Sequence, residues 1–207
     1  MRKAITVALL SGLGVATGII AALVAGKPDS PHSIEWLNTP RSLANFSLQT
    51  EAGVLNNQSL HGRWTIVLFG FLHCADICPT GLIQMANLAD KLAESPGAAE
   101  VAFVFFSVDP GRDNVADISR FVSYFNPSFI GATGSEAQLA GFAASLTIRF
   151  NLVRDTQQYS VAHSTAFSII DPDGNFSGRF RPGFDVISVA RDFSHRVKQH
   201  GHLASTR

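Results

Sequence analysis

The 207-residue chain predicts an α/β protein: a parallel or mixed sheet with helices on both faces, preceded by a single N-terminal transmembrane helix. Three observations carry this. Trp64–Phe69 and Val101–Val108 are continuous apolar runs of strand length, without the polar alternation of a half-exposed strand. Apolar stripes at helical spacing separate and follow them, giving a βαβα order that a sheet covered by helices satisfies. At the amino terminus, Ala4–Ala25 is uncharged throughout.

Taken in order, Met1-Arg2-Lys3 precedes that run, in which 16 of 22 residues are apolar and the rest are Gly, Ser or Thr. As a helix it would be about 33 Å long, enough for the hydrocarbon core of a bilayer. The basic pair ahead of it orients the span with its amino end inside. A cleaved signal peptide usually has a shorter apolar stretch of about 7–15 residues, although Val24-Ala25-Gly26 would pass as a cleavage site. The length favours an uncleaved anchor over residues 4–25. Either way the remainder lies outside the cytoplasm, in the periplasm of a bacterial-type cell; uncleaved, the chain is a single-pass inner-membrane protein with a periplasmic carboxy-terminal domain. Residues 26–39, with Pro28 and Pro31, read as a tether, and residues 40–207 as the domain.

Within the domain, the strand at Trp64–Phe69 is followed by Leu82, Met85, Leu88, Ala89 and Leu92 on one helical face. After the second strand, Ile118, Phe121, Val122 and Phe125 mark another helix, and Leu139, Phe142, Ala143 and Leu146 a third. Thr165–Ile170 and Asn175–Phe180 predict two strands joined by the turn Asp171-Pro172-Asp173-Gly174. Val186, Val189, Ala190, Phe193 and Val197 close the fold with a helix. Most of the 16 Phe fall on these stripes, where packing accounts for them.

Composition narrows the chemistry. Sixteen basic and 16 acidic residues leave no net charge, which excludes a nucleic-acid binder working by bulk positive charge. Two cysteines exclude a disulfide-rich scaffold and a four-thiolate metal site. Those two, Cys74 and Cys78, flank the turn between the first buried strand and the first helix, with Pro79 in the helix's opening turn. The positive end of the helix dipole there favours thiolate, the form that attacks disulfides and binds soft metals. A bridge closing so short a loop would stabilise by only about 2 kcal/mol before strain, so a functional pair outweighs a structural staple.

Here the sequence resembles the Sco/SenC family. The resemblance rests on Phe69-Gly70-Phe71-Leu72-His73-Cys74-Ala75-Asp76-Ile77-Cys78-Pro79, then Ser107-Val108-Asp109-Pro110-Gly111-Arg112-Asp113, Gly131-Ala132-Thr133-Gly134, and Val161-Ala162-His163-Ser164 with Ile170-Asp171-Pro172-Asp173-Gly174. It covers about residues 40 to 200, and Ala75 departs from it where the family often has proline. The resemblance implies a membrane-anchored thioredoxin-like domain that binds copper through Cys74, Cys78 and His163 and serves assembly of the dinuclear copper site of cytochrome c oxidase. Its implied partners are the copper-receiving oxidase subunit, a periplasmic thiol reductant or another copper chaperone, and the membrane.

Two thiolates and an imidazole suit Cu(I), and can hold Cu(II) with added oxygen ligands. Methionine-rich binding is excluded, since Met1 and Met85 are the only methionines. His163 on its own would be an ordinary surface or core histidine; only the resemblance makes it a ligand. His73 should point away from Cys74, and His195, His200 and His202 fall in a polar carboxy-terminal helix and tail. Asp109 either caps its Asp-Pro-Gly turn or, as the resemblance allows, stands behind the copper and tunes a ligand. The Asp171–Asn175 turn is not a calcium loop, because Pro182 occupies the place of the bidentate glutamate.

A metallochaperone and a thiol–disulfide oxidoreductase that reduces its target's cysteines (with Cys74 and Cys78 as the redox pair) both fit this pattern. The CxxxC spacing favours copper, because thioredoxin-like reductases usually have CxxC. Ser160–Ala166 also offers His163 where such reductases carry a cis-proline.

Overall fold

The computed structural model describes residues 34–94, 100–154, 159–163 and 165–204, the side chains of 153–163 and 202–204 excepted. All belong to one unit, His32–Arg207. The anchor expected over 4–25 and the first part of the tether lie outside the described residues. Among the described residues no helix is long and apolar enough to cross a membrane.

The chain order is β1 (Glu35–Ser42), β2 (Ser47–Thr50), β3 (Gly53–Asn56), a 3-10 turn (Asn57–Leu60), β4 (Trp64–Gly70), α1 (Ile77–Ala93), β5 (Val101–Ser107), α2 (Val115–Phe125), β6 (Ile130–Thr133), α3 (Glu136–Ser145), β7 (Phe150–Arg154), β8 (Tyr159–His163), β9 (Phe167–Ile170), β10 (Asn175–Phe180) and α4 (Val186–Ala204). Eight strands form one mixed sheet in the order β1-β10-β9-β4-β5-β6-β2-β3, while β7 and β8 pair as a separate ribbon. β4, β5 and β6 run parallel; β9 and β10 are antiparallel to their neighbours.

The central strands are apolar on both sides because both sides are covered. Ile66, Leu68, Phe103 and Phe105 pack with Leu82, Met85, Ile118, Val189 and Phe193 from α1, α2 and α4. Val67, Phe69, Val104 and Phe106 pack with Leu139, Phe142 and Ala143 of α3 and with Leu48 and Leu55 of the β2–β3 hairpin. Alternate residues of one strand thus feed two cores. Each expected helical stripe lies on a helix, except that Leu146 falls just past α3 as its cap. Gly131 and Gly134 lie where a Cβ would meet Ile118 of α2 at 2.6 Å and Leu48 at 2.5 Å, so close approach of neighbouring elements explains that motif.

The expected tether reached residue 39, yet Glu35–Ser42 is an edge strand on β10. Its side chains are mostly exposed and its register slips between Trp36 and Arg41, a stretch that includes Pro40. A polar edge strand interrupted by proline carries no apolar pattern to read. The short strands β2, β3, β6, β7 and β8 likewise have no apolar pattern that predicts them. The strand expected from Thr165 begins at Phe167.

Candidate functional site

β4 delivers its chain to the carboxyl edge of the parallel strands, where sites form in open α/β sheets. Gly70 ends β4, and a Cβ there would stand 2.6 Å from the Phe105 ring and 2.9 Å from Cys78 Sγ. Glycine therefore makes the space that the second sulfur fills. From Phe71 the chain turns, with Cys74 N–H donating to the Phe71 carbonyl at 3.3 Å. α1 then starts at Ile77, with Cys78 and Pro79 in its first turn, as expected.

The amino end of α1 is capped by sulfur. Asp76 occupies the cap position but makes no side-chain cap hydrogen bond. Instead Cys78 N–H donates to Cys74 Sγ at 3.3 Å. Helix amino ends leave several N–H groups without intrahelical acceptors, and one of them here is directed at Cys74. Neither cysteine is in a disulfide; Cys74 is half-buried and Cys78 2% exposed.

This burial corrects the expectation that the helix end favours thiolate at both sulfurs. Desolvation pushes the Cys78 thiol well up, and the contact with Cys74 adds to that. A backbone hydrogen bond with Phe71 pulls the other way, and the nearby charges of Cys74 and Asp113 raise it further. The cost of burying a thiolate exceeds what the helix end returns. Cys74 keeps part of its surface in solvent, while burial holds Cys78 towards the neutral thiol.

The second motif follows β5. Asp109 is buried, and its Oδ2 accepts from Arg112 Nε at 2.6 Å. Its carbonyl accepts from the N–H groups of Arg112 and Asp113, closing the turn. Asp113, in the same motif but not singled out from sequence, reaches the cysteine loop directly: its Oδ2 accepts from Leu72 N–H at 2.8 Å and from Ser107 Oγ at 2.6 Å. The available signal was its position at the exit of a buried strand; its partner 41 residues away was not visible.

His163 ends β8, opposite Phe150 of β7, and its side chain lies outside the described residues. Among the described residues no group of three His, Cys, Asp or Glu could hold a metal. His73 is exposed, with Nδ1 3.7 Å from Asp113 Oδ1. His195 is exposed, and the His202 side chain is outside the described residues. His200 is less solvated than expected, lying edge-on to Trp64 with Nε2 3.3 Å from Asp173. Asp171 accepts from the N–H groups of Asp173 and Asn175 and from Ser177 Oγ, the work of a hairpin turn.

The family model described as SCO1/SenC matches residues 37–198. The protein "SCO1 homolog 1, mitochondrial" of Arabidopsis thaliana is 36% identical over 157 residues, covering 75% of this chain and 47% of its own length. The human "SCO2 homolog, mitochondrial" is 37% identical over 135 residues, covering 63% and 51%. The chain thus spans about half the length of these curated relatives. Among solved structures, Arabidopsis thaliana ScoI with copper bound is 35% identical with a TM-score of 0.69, covering 75% of this chain and 98% of that one. Yeast Sco1 with copper bound is 28% identical with a TM-score of 0.69, covering 77% and 90%. A third is BsSco, a member of the Sco family of cytochrome c oxidase assembly proteins in which a disulfide switch is identified. It is 26% identical with a TM-score of 0.55, covering 69% and 85%. The motif order, the sheet flanked by helices and a family match over more than three quarters of the sequence lead to one conclusion: this chain belongs to the SCO1/SenC family.

Proposed function

We propose that this protein is a membrane-anchored periplasmic copper metallochaperone that carries copper on Cys74, Cys78 and His163 and delivers it for assembly of the dinuclear copper site of cytochrome c oxidase. The observation that carries the reading is the pair of cysteines, not bridged to each other, at the entrance of α1, one half-buried and one buried, in a family whose solved members include copper-bound proteins. Copper here is cargo. Two sulfurs and one imidazole make a soft set with room for an incoming ligand, so a receiving protein can enter before the donor lets go. Asp109 stands behind the site, with Arg112 fixing its carboxylate. The uncharged run 4–25 is the anchor, and the stretch from 26 to 33 links it to the domain.

Anaerobic competition titration of the reduced full chain with Cu(I) tests this reading. One copper per chain is expected, and His163→Ala weakens binding by more than the roughly 10–100-fold lost when an outer partner of a ligand is removed. A chain that takes no copper, or an unchanged affinity in the variant, contradicts it.

A second reading, a thiol–disulfide oxidoreductase, draws on the hydrogen-bonded approach of the two cysteines and on the disulfide switch identified in BsSco. Disulfide-reduction turnover no faster than a free dithiol would remove it.

A further inference from the structure

A carboxylate held by the cysteine loop has no part in the copper reading above. Asp113 is 1% exposed, and its two oxygens do different things. Oδ2 accepts from Leu72 N–H at 2.8 Å and from Ser107 Oγ at 2.6 Å, joining the loop to the end of β5. Oδ1 is buried and accepts no hydrogen bond among the described residues. His73 Nδ1 stands 3.7 Å from that oxygen, just beyond hydrogen-bond reach. An unpaired buried carboxylate oxygen is costly, so a donor tethered this close is drawn towards it.

Leu72, His73 and Cys74 are consecutive, so one carboxylate addresses the two residues that lead into the half-buried sulfur. The same turn is closed by Cys74 N–H on the Phe71 carbonyl and ends with Cys74 Sγ accepting from Cys78 N–H. We propose that Asp113 is the positioning residue of the cysteine site: Oδ2 fixes the loop at Leu72, Oδ1 seats the His73 imidazole, and together they set where Cys74 Sγ stands relative to Cys78. Seated on Asp113, His73 is turned to a carboxylate and does not serve the metal. Without the carboxylate, Leu72 N–H loses its acceptor and the turn is released. This rests on the reading of Cys74 and Cys78 as the copper-carrying pair.

The test compares wild type, Asp113→Ala, His73→Phe and the double variant as full chains. Two signals are read: the thiolate-to-Cu(II) charge-transfer band with copper affinity, and the alkylation rate of Cys74 in the reduced, metal-free chain. Asp113→Ala, which leaves Leu72 N–H without that acceptor, is expected to shift the band, weaken copper by about tenfold, and speed alkylation. His73→Phe, at a side chain 60% exposed, moves the same signals less, and the double variant is no worse than Asp113→Ala because both act through one carboxylate. A folded Asp113→Ala chain with the wild-type band and alkylation rate overturns the proposal. So does a double variant whose loss is the product of the two single losses. Should Asp113→Ala fail to fold, His73→Phe decides: a wild-type band and rate there overturn the role of Oδ1. If the wild type takes no copper, the copper reading falls, and Cys74 alkylation in the metal-free chains still judges the positioning role.

Discussion

As a proposed copper ligand, Cys78 faces opposing demands: it is buried, and to bind a metal it would have to give up its proton. Its burial among Gly70, Phe105 and the start of α1 keeps the folded thiol protonated well above its ordinary value of 9.0. In the unfolded chain the same thiol ionises near that value. Its stabilising contribution is therefore complete below about pH 8.5 and is lost as pH rises beyond it, at up to about 1.4 kcal/mol per pH unit. We expect the melting temperature of the reduced, metal-free chain to fall between about pH 8.5 and 10 with a component missing in Cys78→Ala. Parallel profiles in the two proteins would contradict this. The soft-metal character of the two sulfurs was legible in their types and spacing. The direction of the Cys78 shift was not, because desolvation depends on which rings close over a sulfur, and Phe105 lies 27 residues downstream in sequence.

The element that sets the site is the passage from β4 through the loop into α1. Its strand, turn and helix could be read from the apolar run, the cysteines and Pro79, and the structure follows that reading. Less visible was why Gly70 occupies the last position of β4. The reason is space, since any side chain there meets the Phe105 ring and Cys78 Sγ within 3 Å. Gly70→Ala should cost about 1–3 kcal/mol from overpacking. Because it displaces the sulfur as well as the ring, it should also weaken copper binding. Denaturant unfolding and Cu(I) competition on the same variant measure both, and lost stability with intact affinity would show that the core yields without moving Cys78. At the sheet margins the sequence was less informative. β1 is polar and interrupted near Pro40, and β2, β3 and β6 are four residues each, too short for alternation to stand out.

Across the whole molecule, the mixed sheet makes two cores from alternate residues of the same strands and leaves the carboxyl edge of β4 and β5 for chemistry. At that edge Asp113 of one loop accepts from Leu72 N–H of the cysteine loop, which joins two motifs whose paired residues are 41 apart in sequence. The third proposed ligand comes from a different ribbon: His163 ends β8, which pairs with β7 outside the main sheet. Its role could be read only through the family resemblance, since one histidine in a strand has no pattern of its own. The most direct test of the copper site is X-ray absorption on the full chain loaded with one equivalent of Cu(I). The expected shell has two sulfurs and one nitrogen, the nitrogen disappearing in His163→Ala. A copper shell without sulfur, or one unchanged by that substitution, would contradict it.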